Sequence, residues 1–232
     1  MQWFDTVKTD FISSFITGDR WRMFLQGLGV TLRVTFISAL LGLALGILLA
    51  FMKISKKSNG KRTVFSFIAG IYIDVIRGTP VVVQLMILYF AVLASVNNKM
   101  LVGSIAFGMN SGAYVAEIIR SGIQSIDRGQ AEAGRSLGLS SRRTMQYIII
   151  PQAFKNVLPT LGNEFIVLMK ETAVLGYVGL MDLMKTGSYV VSKTYRAFMP
   201  LIGTAVIYFV VIKIFSLLLA RLERRLQKND SR

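Results

Sequence analysis

The 232-residue chain contains no cysteine and no histidine. Without cysteine it can form no disulfide and has no thiol nucleophile, and without histidine it lacks the commonest metal ligand and neutral-pH general base. Acidic residues are also few, 12 against 27 lysines and arginines. A membrane-embedded enzyme would have only scattered aspartate, glutamate and serine side chains to work with. We therefore expect no enzyme activity, no catalytic residue and no metal site on this chain.

Hydrophobic residues make up 53% of the chain, more than one soluble core of this length can bury. The composition therefore predicts an all-α integral membrane protein that contacts membrane lipid. The net charge of +15 does not indicate a nucleic-acid partner, because the basic residues occur in blocks between long apolar runs.

Apolar segments predict five transmembrane helices, since a helix needs about 20 apolar residues to cross the hydrocarbon layer. They lie at residues 27–52, 64–96, 101–119, from 151 onward, and 198–220. The spacing of Gly42 and Gly46 in the first is typical of close helix packing. Three parts follow: an external, interfacial segment (1–26), a transmembrane domain (27–221) and a basic cytoplasmic tail (222–232). Residues before 198 are predicted to form an external loop with a short helix.

Charge predicts the topology. Residues 53–62 contain five lysines and arginines and no acidic residue, and the tail after Arg221 is also mainly basic. The positive-inside rule places both in the cytoplasm, with the N-terminus, the turn at 97–100 and the segment at 186–195 outside.

A helix break is predicted inside the second span, at Arg77-Gly78-Thr79-Pro80. Glycine is permissive, and proline removes a backbone donor and pushes the residue before it out of α geometry. Broken membrane helices usually line cavities, so these four residues are candidates for a gate. Asp74 and Arg77 can also form a neutralising pair on one helix face.

Residues 129–154 are polar and charged where their neighbours are apolar. Asp127 and Gln130 can form a capping box at the start of a first helix, and Gly138 can end that helix in a left-handed conformation. Ser140 or Ser141 can then cap a second helix. A helical hairpin within a loop at about 121–150 is predicted. The small residues of its first helix leave room for another protein to approach, next to one acidic side chain: Ala131, Ala133, Gly134 and Glu132.

Several spaced motifs agree with one family. They are Glu132-Ala133-Gly134 with Gly138 and Ile150-Pro151, then Arg77-Gly78-Thr79-Pro80, Ala113-Tyr114-Val115-Ala116-Glu117 and Asn163-Glu164-Phe165-Ile166. The first set resembles the EAA loop of permease subunits in binding-protein-dependent ABC importers. Gly134 and Ile150 replace the commoner alanine and leucine. The other motifs narrow the resemblance, which extends from about Gly27 to Arg221, to the polar amino acid branch.

The resemblance implies a type I ABC importer architecture in a bacterial or archaeal plasma membrane. Two permease subunits, as a homodimer or a paralogous heterodimer, would form the pathway, and an extracytoplasmic amino acid-binding protein would deliver the cargo. Two ABC ATPase subunits would dock on the hairpin and hold ATP and Mg. The chain has no phosphate-binding Gly-x-x-x-x-Gly-Lys-Ser/Thr sequence, so no cofactor is expected on it. The alternative is an ion-gradient-driven secondary transporter, against which five spans without an inverted repeat argue.

Glu164 and Asn163 are the predicted centre of the substrate site, with Asp182 and Tyr189 as lesser candidates. A carboxylate beside an amide complements an ammonium group and favours basic amino acids such as arginine, lysine or histidine. A structural ion pair of Glu164 with Lys155, Lys170 or Arg77 is the competing interpretation. Glu117 is interpreted as an ion-paired brace, with gating as the alternative.

Overall fold

The computed structural model describes residues 2–55 and 63–228, and the regular structure in these ranges is helical. The α-helices are α1 Gln2–Phe11, α2 Arg20–Ile54, α3 Val64–Arg77, α4 Val81–Ile87, α5 Lys99–Gln124, α6 Arg128–Ser136, α7 Ser141–Thr144, α8 Ile150–Glu171, α9 Leu183–Thr194 and α10 Phe198–Lys228. Most of the predicted cytoplasmic loop, residues 56–62, and the tail residues 229–232 lie outside the described parts of the chain.

The predicted spans coincide with long helices, although α2 begins earlier than expected. It starts at Arg20, because Gly18 and Asp19 adopt left-handed backbone angles (φ 65° and 54°) and end the helical turns before it. Gly27 was predicted as the start of the apolar span and stays a prediction, because a helix can begin before the apolar layer: Arg20 and Arg22 are polar but compatible with helix.

Within the described residues, α2 and α10 are each long and apolar enough to cross a membrane, and α3 with the segment up to Val92 adds a third span if the bent pair is counted as one. Only 6% of the most apolar stretch of α10 is buried, so this helix presents its apolar side chains to the surroundings. Helices α5 and α8 have 26 and 22 residues. Both are long enough to span, but they carry the polar residues of the candidate site.

The predicted break in the second span is confirmed. Helix α3 ends at Arg77, and α4 begins at Val81. The Gly78 amide still bonds to the Asp74 carbonyl (2.9 Å), and the Thr79 hydroxyl donates to the Val75 carbonyl (2.9 Å). These two bonds satisfy carbonyls at the end of α3, beyond which Pro80 has no N–H to continue the helix.

The chain divides into two compact units. The first consists of Met1–Ser38, Val81–Phe107 and Ile166–Ser216. Its core contains Phe24, Leu183 and Val190, so α9, the short helix predicted before residue 198, packs against α2. The Leu183 amide donates to the Thr31 hydroxyl of α2 (3.2 Å).

The second unit consists of Ala39–Pro80, Gly108–Phe165 and Leu217–Arg232. Its core is built by α2, α3 and α5 from Leu49, Ala50, Ala69, Ile73, Ala113 and Ala116. The predicted close packing at Gly42 and Gly46 is confirmed, since a Cβ on Gly46 would lie 2.4 Å from Cγ1 of Val115. A Cβ on Gly42 would lie 2.8 Å from Cβ of Ser111. These glycines therefore set how closely α2 approaches the part of α5 that carries Ser111.

Helix α8 continues without interruption from the helical turns before it. Helix α7 passes into a π-helical turn, Met145–Ile149, and this turn passes directly into α8. Residues 141–171 are thus one helical run that contains Pro151 and Pro159. Pro159 lies inside α8, where it removes one backbone donor without ending the helix.

Candidate functional site

Glu164 lies on α8 in the second unit and is half-buried. The hydroxyl of Ser111, a buried residue of α5, donates to its Oε1 at 3.2 Å. Because Gly42 lets α2 pack against Ser111, three helices of this unit cooperate to hold the hydroxyl that orients the carboxylate. Asn163 precedes Glu164 and is exposed, so it offers its amide from a neighbouring face of α8.

A cavity of about 550 Å³, lined by both apolar and polar groups, lies in the second unit between α3, α5 and α8. Its walls include Arg77, Tyr114, Glu117, Ser121, Asn156 and Thr160. The guanidinium of Arg77 lies over the ring of Tyr114, 5.2 Å from its centre. Among the described residues Arg77 forms no ion pair with Asp74, so the predicted neutralising pair was wrong: the aromatic ring attracts the cation instead.

Glu117 forms the ion pair expected of a brace. Its Oε2 accepts hydrogen bonds from Nε and Nη2 of Arg120 at 2.9 and 2.6 Å. Arg120 also donates to Gln124 at 2.7 Å, which links three residues along one face of α5. Further toward the hairpin, the Asn156 amide donates to the Ser125 hydroxyl at 3.0 Å, and this bond joins α8 to the end of α5.

The predicted hairpin between α5 and α8 is confirmed. Asp127 caps α6 by accepting from the Gly129 amide (2.6 Å), and Ser140 caps α7 by accepting from the Arg143 amide (3.4 Å). Gly138 has the left-handed φ of 79°, and the Leu139 amide bonds to the Gly134 carbonyl (3.0 Å). Local sequence rules therefore located the caps of both helices and the turn between them. The predicted capping box is only half formed, because the Gln130 side chain accepts from Gln152 (3.4 Å) instead of bonding back to Asp127.

The hairpin residues do not all face the same way. Glu132 and Ala133 are exposed and Ala131 is half-buried, as a docking face requires. Gly134 is buried, and a Cβ there would lie 2.7 Å from Cγ2 of Thr144. The expectation that Gly134 contacts a partner therefore needs correction, because its missing side chain makes room for the second helix of the same hairpin.

Leu137 is the hairpin residue that the sequence reasoning missed. Its side chain is 82% exposed at the end of α6, next to the left-handed Gly138. Tyr147, in the π-helical turn, is 66% exposed. The sequence did contain a signal, because a leucine stands directly before the helix-ending glycine of a charged hairpin. Such a leucine either packs inward or is exposed, and Leu137 is exposed. Large exposed apolar side chains on a polar segment are typical of an interface.

Asp182 and Tyr189 belong to the first unit. Asp182 is fully buried and caps α9, accepting from the amides of Lys185 (2.9 Å) and Met184 (3.3 Å). Burial raises the pKa of this carboxyl, which lies between the fourth and fifth predicted spans, to about 6. Its oxygens are thus engaged in capping the first turn of α9. Tyr189 is 38% exposed, and the Lys193 ammonium lies 5.5 Å from its ring centre.

The structure combines long apolar helices, a carboxylate that accepts a hydrogen bond from a neighbouring helix, and a capped polar hairpin. Together these are features of a membrane transport subunit. The chain belongs to the family described as binding-protein-dependent transport system inner membrane component, whose sequence model matches residues 42–228. This membership confirms the resemblance noted from the motifs, and it does not favour an ion-gradient-driven transporter.

Among individual proteins, the chain is 41% identical over 209 residues to the arginine transport system permease protein ArtQ of Bacillus subtilis (strain 168), covering 89% of this chain and 93% of that one. It is 34% identical over 209 residues to the glutamine transport system permease protein GlnP of Escherichia coli (strain K12), covering 88% and 93%. A solved crystal structure of an amino acid ABC transporter with histidines has a TM-score of 0.81 and 46% identity, over 88% of this chain and 94% of that chain. The predicted fold class is thereby confirmed.

Proposed function

We propose that the chain is the permease subunit of an ATP-driven importer that moves polar amino acids, preferentially basic ones, into the cytoplasm by alternating access. Two such subunits, identical or paralogous, form the pathway. Two separate ATPase subunits supply ATP hydrolysis, and an extracytoplasmic binding protein delivers the cargo. The family match supports the class of transporter, and the relatives named for arginine and glutamine transport support an amino acid cargo.

The observation that carries the proposal is the position of Glu164. An ionisable side chain within a membrane segment is by default a candidate functional residue. Ser111 supplies one donor and fixes the orientation of Oε1. The ammonium of an amino acid, or the side-chain cation of a basic one, is a complementary partner, and the neighbouring amide of Asn163 can bond to the same molecule.

Glu164→Gln is expected to lower arginine uptake at subsaturating concentration about 10- to 100-fold, because a hydrogen bond to a charged group contributes about 1.5–3 kcal/mol. Glutamine keeps the shape and the bond to Ser111 but not the charge. The measurement is uptake of radiolabelled arginine by proteoliposomes containing permease, ATPase and binding protein. If the carboxylate recognises the side-chain cation of the cargo, the variant should lose less of its uptake of free glutamine than of its uptake of arginine.

Glu223→Gln near the end of α10 is the matched control, since it removes the same charge far along the sequence from Asn163 and Glu164 and should leave uptake unchanged. Size-exclusion chromatography checks that both variants still assemble with the ATPase. Normal arginine uptake by an assembled Glu164→Gln importer would show that Glu164 is not part of the substrate site.

The proposed topology has the N-terminus outside and the C-terminus in the cytoplasm of a bacterial or archaeal cell. It is supported by the charge pattern and testable because the native chain has no cysteine. A cysteine at Asn98 should react with an impermeant maleimide in intact cells. A cysteine at Ser55 should react only after permeabilisation. The reverse pattern would invert the topology.

A further inference from the structure

We propose that the cavity between α3, α5 and α8 is a second binding site for the transported amino acid, one helical turn from Glu164 toward the hairpin. The inference rests on the proposed transport function and adds a site to it. The cavity volume of about 550 Å³ falls within the range of roughly 300–1,000 Å³ typical of small-molecule sites.

One wall of the cavity suits a carboxylate. Arg77 lies at the end of α3, exposed, with its guanidinium over the face of Tyr114. This cation–π contact attracts the guanidinium through its charge and does not depend on its N–H donors. These donors match the two oxygens of an α-carboxylate in bidentate geometry. In the part of the chain that the structure describes, Arg77 is in no salt bridge that would compete for them.

The other wall suits an ammonium group. Glu117 lies three residues after Tyr114 on α5, and both of its bonds to Arg120 end on Oε2. Its side chain is 17% exposed, so the carboxylate is partly shielded from solvent. Hydroxyl and amide groups of Ser121, Thr160 and Asn156 complete the walls. The guanidinium can bind the carboxylate of an amino acid, and Oε1 of Glu117, which takes no part in the two bonds to Arg120, can accept a hydrogen bond from its ammonium group.

Residues that line the cavity follow those of the first site at helical spacing along both α5 and α8. On α5, Ser111, Tyr114, Glu117 and Ser121 follow at spacings of three or four residues, so they form one stripe. On α8, Asn156, Thr160 and Glu164 follow at spacings of four. Thr160 lies about 6 Å along α8 from Glu164. An amino acid that leaves Glu164 toward the hairpin thus meets a second set of charges within one turn, and two weak sites in series favour both entry and release.

The test is equilibrium binding of radiolabelled arginine, and separately of glutamine, to the purified permease–ATPase complex without nucleotide or binding protein. The unmodified complex should bind two amino acids per permease chain. Glu164→Gln should retain one, Arg77→Gln should retain one, and the double variant should bind none. Arg33→Gln on α2 removes a guanidinium outside the cavity and should leave two bound.

The possible failures are distinguishable. One bound amino acid per permease chain that is lost with Glu164→Gln and kept with Arg77→Gln overturns the second site and leaves the transport function intact. Normal uptake by Glu164→Gln would count against the proposed substrate site instead. If Arg77→Gln fails to assemble, Ser121→Leu is the deciding variant, because it fills the cavity without changing the Glu117–Arg120 ion pair. One amino acid bound by Ser121→Leu supports the second site, and two overturn it. Binding of neither probe by the unmodified complex also overturns it.

Discussion

Leu137→Gln is expected to weaken binding of the ATPase subunits about 10- to 100-fold. A leucine that is buried on docking contributes about 1.5–3 kcal/mol, and this is lost when the side chain becomes polar. Leu137 is the most exposed large apolar side chain of the hairpin, at 82%. It protrudes beside Glu132 and Ala133, the residues for which the EAA-like motif implies an ATPase contact.

Affinity is measured by titrating detergent-solubilised permease with purified ATPase in a pull-down or by light scattering. Leu137→Met keeps the apolar volume and is the matched control, expected to bind within about threefold of the unmodified chain. Equal affinity of the glutamine and methionine variants would show that Leu137 lies outside the interface.

Gly134→Leu is expected to abolish the coupling of ATP hydrolysis to uptake by forcing the two helices of the hairpin apart. A Cβ at Gly134 would lie 2.7 Å from Cγ2 of Thr144 and 3.0 Å from Cδ1 of Ile148, and a leucine needs three further carbons in the same space. Overpacking of this kind costs about 1–3 kcal/mol, which a short hairpin with few other internal contacts cannot absorb. Uptake should fall more than tenfold, and further than in Glu132→Ala, which leaves the hairpin packed.

Limited trypsin digestion separates loss of structure from loss of docking. Gly134→Leu should speed cleavage after Arg142 and Arg143 of the hairpin. Ala133→Leu places the same side chain at the adjacent exposed position, so it should obstruct docking while cleavage stays slow. The interpretation fails if Gly134→Leu leaves both the cleavage rate and uptake as they are in the unmodified chain.

Much of the fold followed from local rules. Pro80 and Gly78 predicted the break between α3 and α4, and Asp127, Gly138 and Ser140 predicted the caps of the hairpin, because each rule depends only on neighbouring residues. Hydropathy predicted the apolar spans but not where the helices begin, since a helix and an apolar layer do not end at the same residue.

The orientation of side chains was harder to predict. A small residue such as Gly134 makes room either for a partner or for the same chain, and the sequence does not distinguish the two. Arg77 was paired with Asp74 because they are three residues apart, whereas its contact is Tyr114, 37 positions later in the sequence. The Ser111–Glu164 bond depends likewise on the tertiary packing of α5 against α8, which no local pattern encodes.

The uninterrupted helical run of residues 141–171 carries the proposed cargo contact, Glu164, and packs at Thr144 against Gly134 of α6, the helix that carries the proposed ATPase contact. Ser141 and Glu164 are separated by 23 positions, about 35 Å of helix. A tilt of about 5° at the hairpin would carry the carboxylate about 3 Å if the run moves as a rod of that length. Such coupling acts in both directions: whatever factor ATPase binding applies to cargo affinity, bound cargo must apply to ATPase affinity. Cargo bound in the pathway would thus change the affinity for the ATPase through the same helical run by which ATPase binding changes the affinity for cargo.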